Sequence, residues 1–172
     1  MSRCAFILFA AALASVAVPM SAQDGRTPLP SAACASLQGL SIPASAIGLP
    51  TSGAVVQTAV AVAASEQGNT NGDFCKVTGI VKPHNSSSPN LEFEVNLPTN
   101  WNNKALQLGG GGFDDVLVTG LGPAGLQPAG VPNPLKQGYV TAGGDGGHKG
   151  SAPFDGSFGM NDEALANFGK QS

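Results

Sequence analysis

Residues 91–112 read LEFEVNLPTNWNNKALQLGGGG and contain the strongest structural signal in the chain. Apolar and polar side chains alternate in residues 91–97, which is typical of a β-strand with one buried face. The proline and asparagines of residues 98–103 then predict a turn. Residues 104–108 predict a further strand, and this strand runs directly into four glycines.

The segments on either side continue the pattern of a mixed α/β domain. Further strands are predicted from Val-rich and alternating stretches, and short helices from the segments around them. The segment before residue 139 carries little periodicity and predicts a long loop. The predicted strands are 54–63, 74–81 and 139–142, the helical segments are 32–40, 134–138 and 161–169, and the loop is 114–134.

Composition restricts the class of protein. The chain has 172 residues, a net charge of -3 and only 11% charged residues, so it has no basic surface for nucleic acid. Its 24 glycines and 13 prolines fit either a loop-rich globular protein or a partly disordered one. A hydrophobic content of 42%, with clear β-type runs, favours the globular interpretation.

The N-terminus has the pattern of an export signal. Arg3 precedes an apolar stretch at residues 5–18, and the small residues of 19–22 predict cleavage after Ala22. The alternative is a short transmembrane anchor, but a bilayer needs about 20 apolar residues. Cys4 would leave with the signal. We therefore expect a periplasmic or secreted protein, with no membrane contact once the signal is removed.

Two cysteines remain after signal removal, Cys34 and Cys75. In an oxidising compartment an even count predicts a disulfide, and the alternative is two buried free thiols. The bridge would close a loop of roughly 40 residues and stabilise the fold by about 4 kcal/mol. No C-x2-C spacing and no neighbouring histidine suggests a metal site, so none is predicted.

The four glycines at 109–112 allow close approach of a ligand to backbone N–H groups. One use of such a run is a phosphate cradle, but neither phosphate-binding glycine pattern is matched. Another is the oxyanion hole of an α/β-hydrolase, which takes a donor from a glycine-rich loop after an early strand. The third alternative is a flexible surface turn.

Two pairs of titratable side chains are candidates for acid–base chemistry. Asp145 and His148 lie near a strand end, but no G-x-S-x-G motif precedes them, which favours a structural role in holding the loop. Glu92 and Glu94 share one strand face. Paired carboxylates hydrolyse glycosides in some enzymes, but we expect this pair to be exposed to solvent and structural.

Four ordered blocks resemble the tannase/feruloyl esterase family over about residues 32–170. In that family an L-P-x-x-W-N segment leads to a glycine-rich turn, and a D-x-G-H block follows. The matching stretches are FEVNLPTNWNNKALQLGGGGF at 93–113, GYVTAGGDGGH at 138–148, ACASL at 33–37 with FCKVTG at 74–79, and the helix start at 161–169.

The resemblance implies an α/β-hydrolase fold with an inserted lid domain, and hydrolysis of esters of aromatic acids such as gallate or hydroxycinnamate. One branch of the family is similar to mono(hydroxyethyl) terephthalate hydrolases. The implied partner of the whole enzyme is therefore a small aromatic ester.

The resemblance also implies roles for individual residues. The family's oxyanion donor corresponds to the backbone N–H of Gly112, with neighbouring residues for substrate binding and the D-x-G-H block as structural support. The implied set is Gly112 as catalytic donor, Gly111 and Phe113 in binding, Asp145 and His148 near the site, and the Cys34–Cys75 disulfide.

This sequence departs from the family by lacking its Gly-Cys-Ser-x-Gly-Gly-Arg nucleophile motif. The acid, the histidine and the lid with its calcium site are also missing, so no cofactor is expected here. The predicted fold class is α/β, an incomplete α/β-hydrolase of N-terminal strands and first helices without lid or catalytic C-terminal half. We expect a signal peptide (1–22), a flexible lead-in (23–31) and this hydrolase portion (32–172).

Two hypotheses follow from the sequence. The first is an inactive N-terminal fragment of an exported serine ester hydrolase, with part of a parallel sheet left uncovered at one edge. The alternative is a complete small exported binding or structural module, whose glycine loops bind a ligand or lie on the surface.

Overall fold

Six β-strands form one mixed sheet in the computed structural model, which describes residues 31–113, 116–150 and 154–171. The spatial order is β1-β2-β3-β4-β6-β5. All neighbouring strands pair antiparallel except β5 and β6, which are parallel. The strands are β1 (Ser41–Ile42), β2 (Ala54–Val62), β3 (Phe74–Val81), β4 (Leu91–Pro98), β5 (Ala105–Gln107) and β6 (Val140–Gly144).

Two α-helices flank the sheet in sequence, α1 (Ser31–Ala35) and α2 (Asp162–Gln171). Single 3-10 turns occur at Ala44–Ala46 and Ser157–Met160. Helix α2 has a side-chain N-cap, because Asn161 Oδ1 accepts hydrogen bonds from the N–H groups at the second and third helical positions.

The predicted elements are mostly present, with differences at their ends. β3 has the predicted bounds, β4 is one residue longer, and α2 begins and ends later than its prediction. The helix predicted at 32–40 is wrong in length, since α1 ends at Ala35 and turns follow. Residues 134–138 form hydrogen-bonded turns instead of a helix end. The predicted parallel sheet is wrong for all strand pairs except β5–β6.

One face of the sheet carries the apolar core. Helix α1 packs on this face, and a disulfide joins Cys34 of α1 to Cys75 of β3, with the Cα atoms 5.6 Å apart. The predicted disulfide is therefore present. The buried cluster consists of Cys34, Val56, Ala59, Cys75 and Val77, with Leu37, Phe93, Val95 and Leu97 packed against it.

On the opposite face of the sheet, polar residues of β4 are covered by a loop. Residues 118–121, which we call the strap, run across this face, and Glu94 and Asn96 beneath are 1% and 0% exposed. The expectation that both glutamates are exposed is therefore wrong for Glu94, because the strap excludes water from that part of the face. Glu92 stays partly exposed and pairs with Lys149, Nζ to Oε1 2.6 Å.

The predicted signal peptide and, apart from Ser31, the predicted lead-in lie outside the described residues. Ser31 is the first residue of α1. Within the described ranges, no helix has both the length and the apolar character needed to cross a bilayer. The division of the chain into signal, lead-in and hydrolase portion remains a prediction.

Candidate active site

The loops that follow β5 and β6 leave the sheet at the same edge, because these two strands are adjacent and parallel. In open α/β sheets, ligands bind beyond the carboxyl ends of such strands. The loop after β5 contains the four glycines and Phe113; we call residues 109–113 the glycine loop. The loop after β6 contains Asp145 and His148. The topology therefore brings the two sequence candidates to one end of the sheet.

Both flanks of the glycine loop are hydrogen-bonded to β6. Leu108 N–H donates to the carbonyl of Ala142 at 2.8 Å, and Val118 N–H donates to the carbonyl of Gly144 at 3.0 Å. The chain therefore leaves the sheet beside β6 before the glycine loop and returns beside the same strand after it.

Gly112 occupies an exposed turn with φ of +68°. This left-handed conformation is strained for any residue with a Cβ, which explains glycine at this position. None of the four glycine amides at 109–112 donates a hydrogen bond to another described residue. Free backbone N–H groups at the carboxyl edge of a sheet are chemically suited to bind a developing negative charge.

Asp145 holds the loop after β6 in place. Its side chain is buried, and Oδ1 accepts hydrogen bonds from the N–H groups of Glu92 and Gly147, each at 2.9 Å. Burial raises the pKa of this carboxyl group, and the two backbone hydrogen bonds only partly oppose that effect. The geometry is that of a structural brace between β4 and the loop.

His148 is 2% exposed and packs among aromatic rings. Its ring lies 3.8 Å from that of Phe158 in a stacked arrangement. Neither ring nitrogen has a hydrogen-bond partner among the residues that the structure describes. Asp145 and His148 are thus not hydrogen-bonded to each other, and the geometry is not that of an acid–base pair.

Aromatic contacts connect the two loops. The ring of Phe113 lies 5.7 Å from Phe158 and 6.0 Å from Phe168, both edge-on, and Phe168 also lies 5.5 Å from His148. The glycine loop, the loop after β6, the second 3-10 turn and α2 therefore meet in one aromatic cluster: Phe113, His148, Phe158 and Phe168.

Other candidate chemistries have less structural support. Glu94 lies under the strap with Oε2 3.3 Å from Lys76 Nζ, so it does not face a cleft with Glu92 as a glycosidase pair would. Among the described residues no group of three or more His, Cys, Asp or Glu side chains is placed to hold a metal ion.

Comparison with known families decides the classification. The family model described as tannase and feruloyl esterase matches residues 75–172, which is more than half of the chain and includes both loops. The chain belongs to the tannase and feruloyl esterase family. The resemblance drawn from the four sequence blocks is thereby confirmed.

Two proteins similar in sequence to this chain are described as esterases. The chain is 45% identical over 136 residues to an uncharacterised esterase of Agrobacterium fabrum, covering 79% of this chain and 25% of the relative. It is 34% identical over 122 residues to an uncharacterised esterase of Xanthomonas campestris pv. campestris, covering 70% and 19%. The chain thus spans a quarter or less of the length of these relatives.

Solved structures support the predicted fold. Feruloyl esterase B from Aspergillus oryzae matches with a TM-score of 0.50 and 23% identity, over 80% of this chain and 25% of that one. A second esterase from the same organism matches with a TM-score of 0.52 and 21% identity, over 80% and 26%. The described residues therefore correspond to a portion of the α/β-hydrolase-like fold of these esterases.

Proposed function

We propose that this chain forms the oxyanion-binding part of an exported serine carboxylic-ester hydrolase that acts on esters of aromatic acids. One observation carries the proposal: the amides of residues 109–112, which donate no hydrogen bond to another described residue, lie beyond the carboxyl end of β5, beside the loop that follows β6. Membership of the tannase and feruloyl esterase family supplies the reaction class.

In the proposed reaction a serine outside these 172 residues attacks the ester carbonyl, and a histidine, also outside them, takes the serine proton. A bond forms between Oγ and the carbonyl carbon, and the carbonyl oxygen becomes an oxyanion that accepts a hydrogen bond from Gly112 N–H. Collapse expels the alcohol, which takes the proton from the histidine. Water then releases the acid from the acyl-enzyme by the same route.

The residues beside Gly112 have supporting roles in this proposal. Gly111 lets the ester approach the backbone closely, since it has no side chain. Phe113 packs on Phe158 and Phe168, so its backbone is tied to the aromatic cluster and the turn at Gly112 is held from one side. Asp145 and His148 support the neighbouring loop.

Export and substrate class rest on separate observations. The apolar N-terminal stretch supports a signal peptide at 1–22, and the Cys34–Cys75 bridge supports maturation in an oxidising compartment, periplasmic or extracellular. The description of the matched family supports aromatic-acid esters as substrates. Residues 32–172 are proposed as the N-terminal part of the catalytic domain.

Removal of a single N–H tests the oxyanion assignment. The complete enzyme, encoded by the whole reading frame that contains these residues, is made with glycolic acid in place of Gly112, which replaces N–H by oxygen without adding a side chain. We expect kcat for methyl ferulate to fall by about 10²–10³, the usual cost of one oxyanion donor.

The matched control places the same replacement at Gly109, at the start of the loop. An equal loss at both positions, or an unchanged kcat at Gly112, would contradict the assignment. The nucleotide sequence beyond codon 172 offers a cheaper check, because the proposal requires a serine nucleophile motif in the same frame or after a frameshift.

A further inference from the structure

The strap lies directly against β6. Val118 N–H binds the carbonyl of Gly144 at 3.0 Å, and a Cβ on Gly143 would overlap the carbonyl oxygen of Val118. A Cβ on Gly120, which has φ of +68°, would lie 3.1 Å from the side chain of Thr141. Glycines on both sides of the contact therefore let the two backbones touch.

One buried side chain fastens the strap to the sheet. Asn96 of β4 is completely buried, and its Nδ2 donates to the carbonyl of Thr119 in the strap at 2.7 Å. The same Nδ2 lies 3.1 Å from Glu94 Oε1 and 3.3 Å from Thr141 Oγ1. We call Glu94, Asn96 and Thr141 the buried polar network.

Charge and register keep this network together. Lys76, Asn96 and Thr141 lie directly opposite one another on β3, β4 and β6. Lys76 Nζ is 3.3 Å from Glu94 Oε2, so the buried carboxylate has a partner of opposite charge. A buried carboxylate with a charged partner and an amide donor avoids most of the cost of desolvation.

The amide of Asn96 is used for its donor atoms. Its Oδ1 is buried and has no hydrogen-bond partner among the described residues. An unpaired buried acceptor costs roughly 1–3 kcal/mol, a cost that an apolar side chain of similar volume would avoid. An apolar side chain would fill the same space without this cost. The asparagine therefore indicates that its hydrogen bond to the strap has a role of its own.

The strap lies beside the start of the glycine loop. A Cβ placed on Gly120 would lie 3.5 Å from Leu108 Cδ1, so the backbone of the strap passes close to the residue that immediately precedes the four glycines. Consecutive glycines lose much conformational freedom when fixed, and an oxyanion donor is effective only if it is fixed before the reaction. The loop therefore needs an external constraint.

We propose that Asn96 is a positioning residue of this enzyme, which acts through the strap to fix the oxyanion-binding amides of the glycine loop. The inference rests on the proposed function of that loop. It predicts that a substitution in β4, at a side chain that acts only through the strap, lowers kcat.

The test uses the complete enzyme with Asn96→Ala and Asn96→Leu, two variants that remove the donor with and without loss of volume. For both, kcat for methyl ferulate per mole of folded enzyme should fall by about 10- to 100-fold, the scale of a small misplacement of catalytic groups. KM should stay within about twofold, because the amides act on the transition state.

A control removes a hydrogen bond at the far end of the strap, where the carbonyl of Leu121 also accepts from Asn71 Nδ2 at 3.1 Å and so stays bound. Asn133 Nδ2 donates to the carbonyl of Leu121 at 3.0 Å. Asn133→Ala should change kcat by less than about threefold, although it should lower the melting temperature. If the Asn96 variants lose no more kcat than Asn133→Ala, Asn96 is a structural residue only and the inference is wrong.

A second measurement does not depend on activity. Amide hydrogen exchange at Leu108 and Val118, whose N–H groups bind β6 on the two flanks of the glycine loop, should be about tenfold faster in Asn96→Ala than in the wild type, because these flanks open more often. Unchanged exchange would overturn the inference. Failure of the proposed function is recognised separately: the Gly112 replacement would then leave kcat unchanged, and exchange alone would decide whether Asn96 holds the loop.

Discussion

Asp145 is the residue on which the loop after β6 depends. Its Oδ1 accepts both the Glu92 and the Gly147 amide hydrogens in a buried site. In Asp145→Ala both amides lose their acceptor, and we expect a loss of about 2–4 kcal/mol in the free energy of unfolding. Urea unfolding of the complete enzyme at pH 7 measures this.

Asp145→Asn is the informative companion variant, because one carboxyl oxygen, Oδ1, accepts both hydrogen bonds in the wild type and the amide oxygen of asparagine can accept both in its place. Burial raises the pKa of Asp145, so the folded state binds more protons than the unfolded state just above pH 3.8, and ionisation costs stability as the pH rises through that window. An uncharged amide removes this cost, and Asp145→Asn should stay within about 1 kcal/mol of the wild type. A loss as large as that of alanine would show that the charge itself is needed.

Ionisation of Glu163 gives the folded state the opposite dependence of stability on pH. Its two carboxylate oxygens accept the backbone N–H groups of His84 and Asn85. Desolvation alone would raise the pKa of Glu163, but these hydrogen bonds outweigh it and lower the pKa below 4.5. The stabilisation is present above the unfolded pKa and is lost as the pH falls through the lower, folded value.

Glu163→Gln should therefore destabilise the enzyme at pH 7 by about 0.5 kcal/mol, a small effect because solvent reaches the partly exposed side chain and screens it. The difference from the wild type should shrink below about pH 4. Asp162→Asn is the matched control: it removes the same charge one position earlier and touches neither amide. If the two variants give equal losses at pH 7, the helix dipole and not the pair of hydrogen bonds is responsible.

Individual polar residues mark the limit of what the sequence predicts. The alternation of residues 91–97 correctly separates two faces of β4, and the apolar face does pack on the disulfide core. The same alternation cannot show that Glu94 and Asn96 are buried, because a polar face under a loop has the pattern of a polar face in water. The covering strap comes from residues 118–121, within the segment predicted as a featureless loop.

The disulfide is the covalent link between the short helix α1 and the sheet. α1 has only five residues, too few to be stable as an isolated helix, and it is attached through Cys34 to β3. Replacing both cysteines by serine should lower the free energy of unfolding by about 2–4 kcal/mol, according to the loop-closure argument. Thermal unfolding of the complete enzyme tests this.

Hydrogen exchange localises the effect of that double variant. Protection should fall first at residues 33–40 and should persist in β4 and β6, since those strands do not depend on the bridge. Treatment of the wild type with reductant should reproduce the loss. A uniform loss of protection across the sheet would instead mean that the bridge stabilises the whole domain as one unit.

The positions of the strands can be predicted here because the side-chain pattern of each strand lies within its own segment. The pairing of the strands cannot be predicted in this way. β3 is correct at both ends because β-branched and apolar residues fill it. Whether neighbouring strands are parallel depends on connections distant in sequence, and the sheet is antiparallel at every pair but β5–β6. That single parallel pair places the glycine loop beside Asp145, and no periodicity within residues 104–108 or 139–142 specifies it.

Apolar side chains are exposed beside one edge strand of the described domain. β5 is an edge strand, and beside it lies an open groove of about 560 Å³ lined by Leu106, Leu126, Val131 and Tyr139, among others. Leu126 is fully exposed and Val131 is 42% exposed. A free strand edge next to exposed apolar side chains promotes association with other chains.

We therefore expect residues 23–172, expressed alone, to behave differently from the complete enzyme in two respects. The isolated segment should show no turnover of p-nitrophenyl acetate above the buffer rate, because the proposed serine nucleophile lies outside it. It should also bind a hydrophobic dye and elute as multimers in size-exclusion chromatography with light scattering.

Leu126→Ser together with Val131→Thr should shift the isolated segment toward the monomer, since both changes reduce the exposed apolar area of the groove. Turnover that depends on a residue within 1–172, or a monomeric segment with a sharp cooperative melt, would instead support an independent module whose glycine loop serves a different ligand.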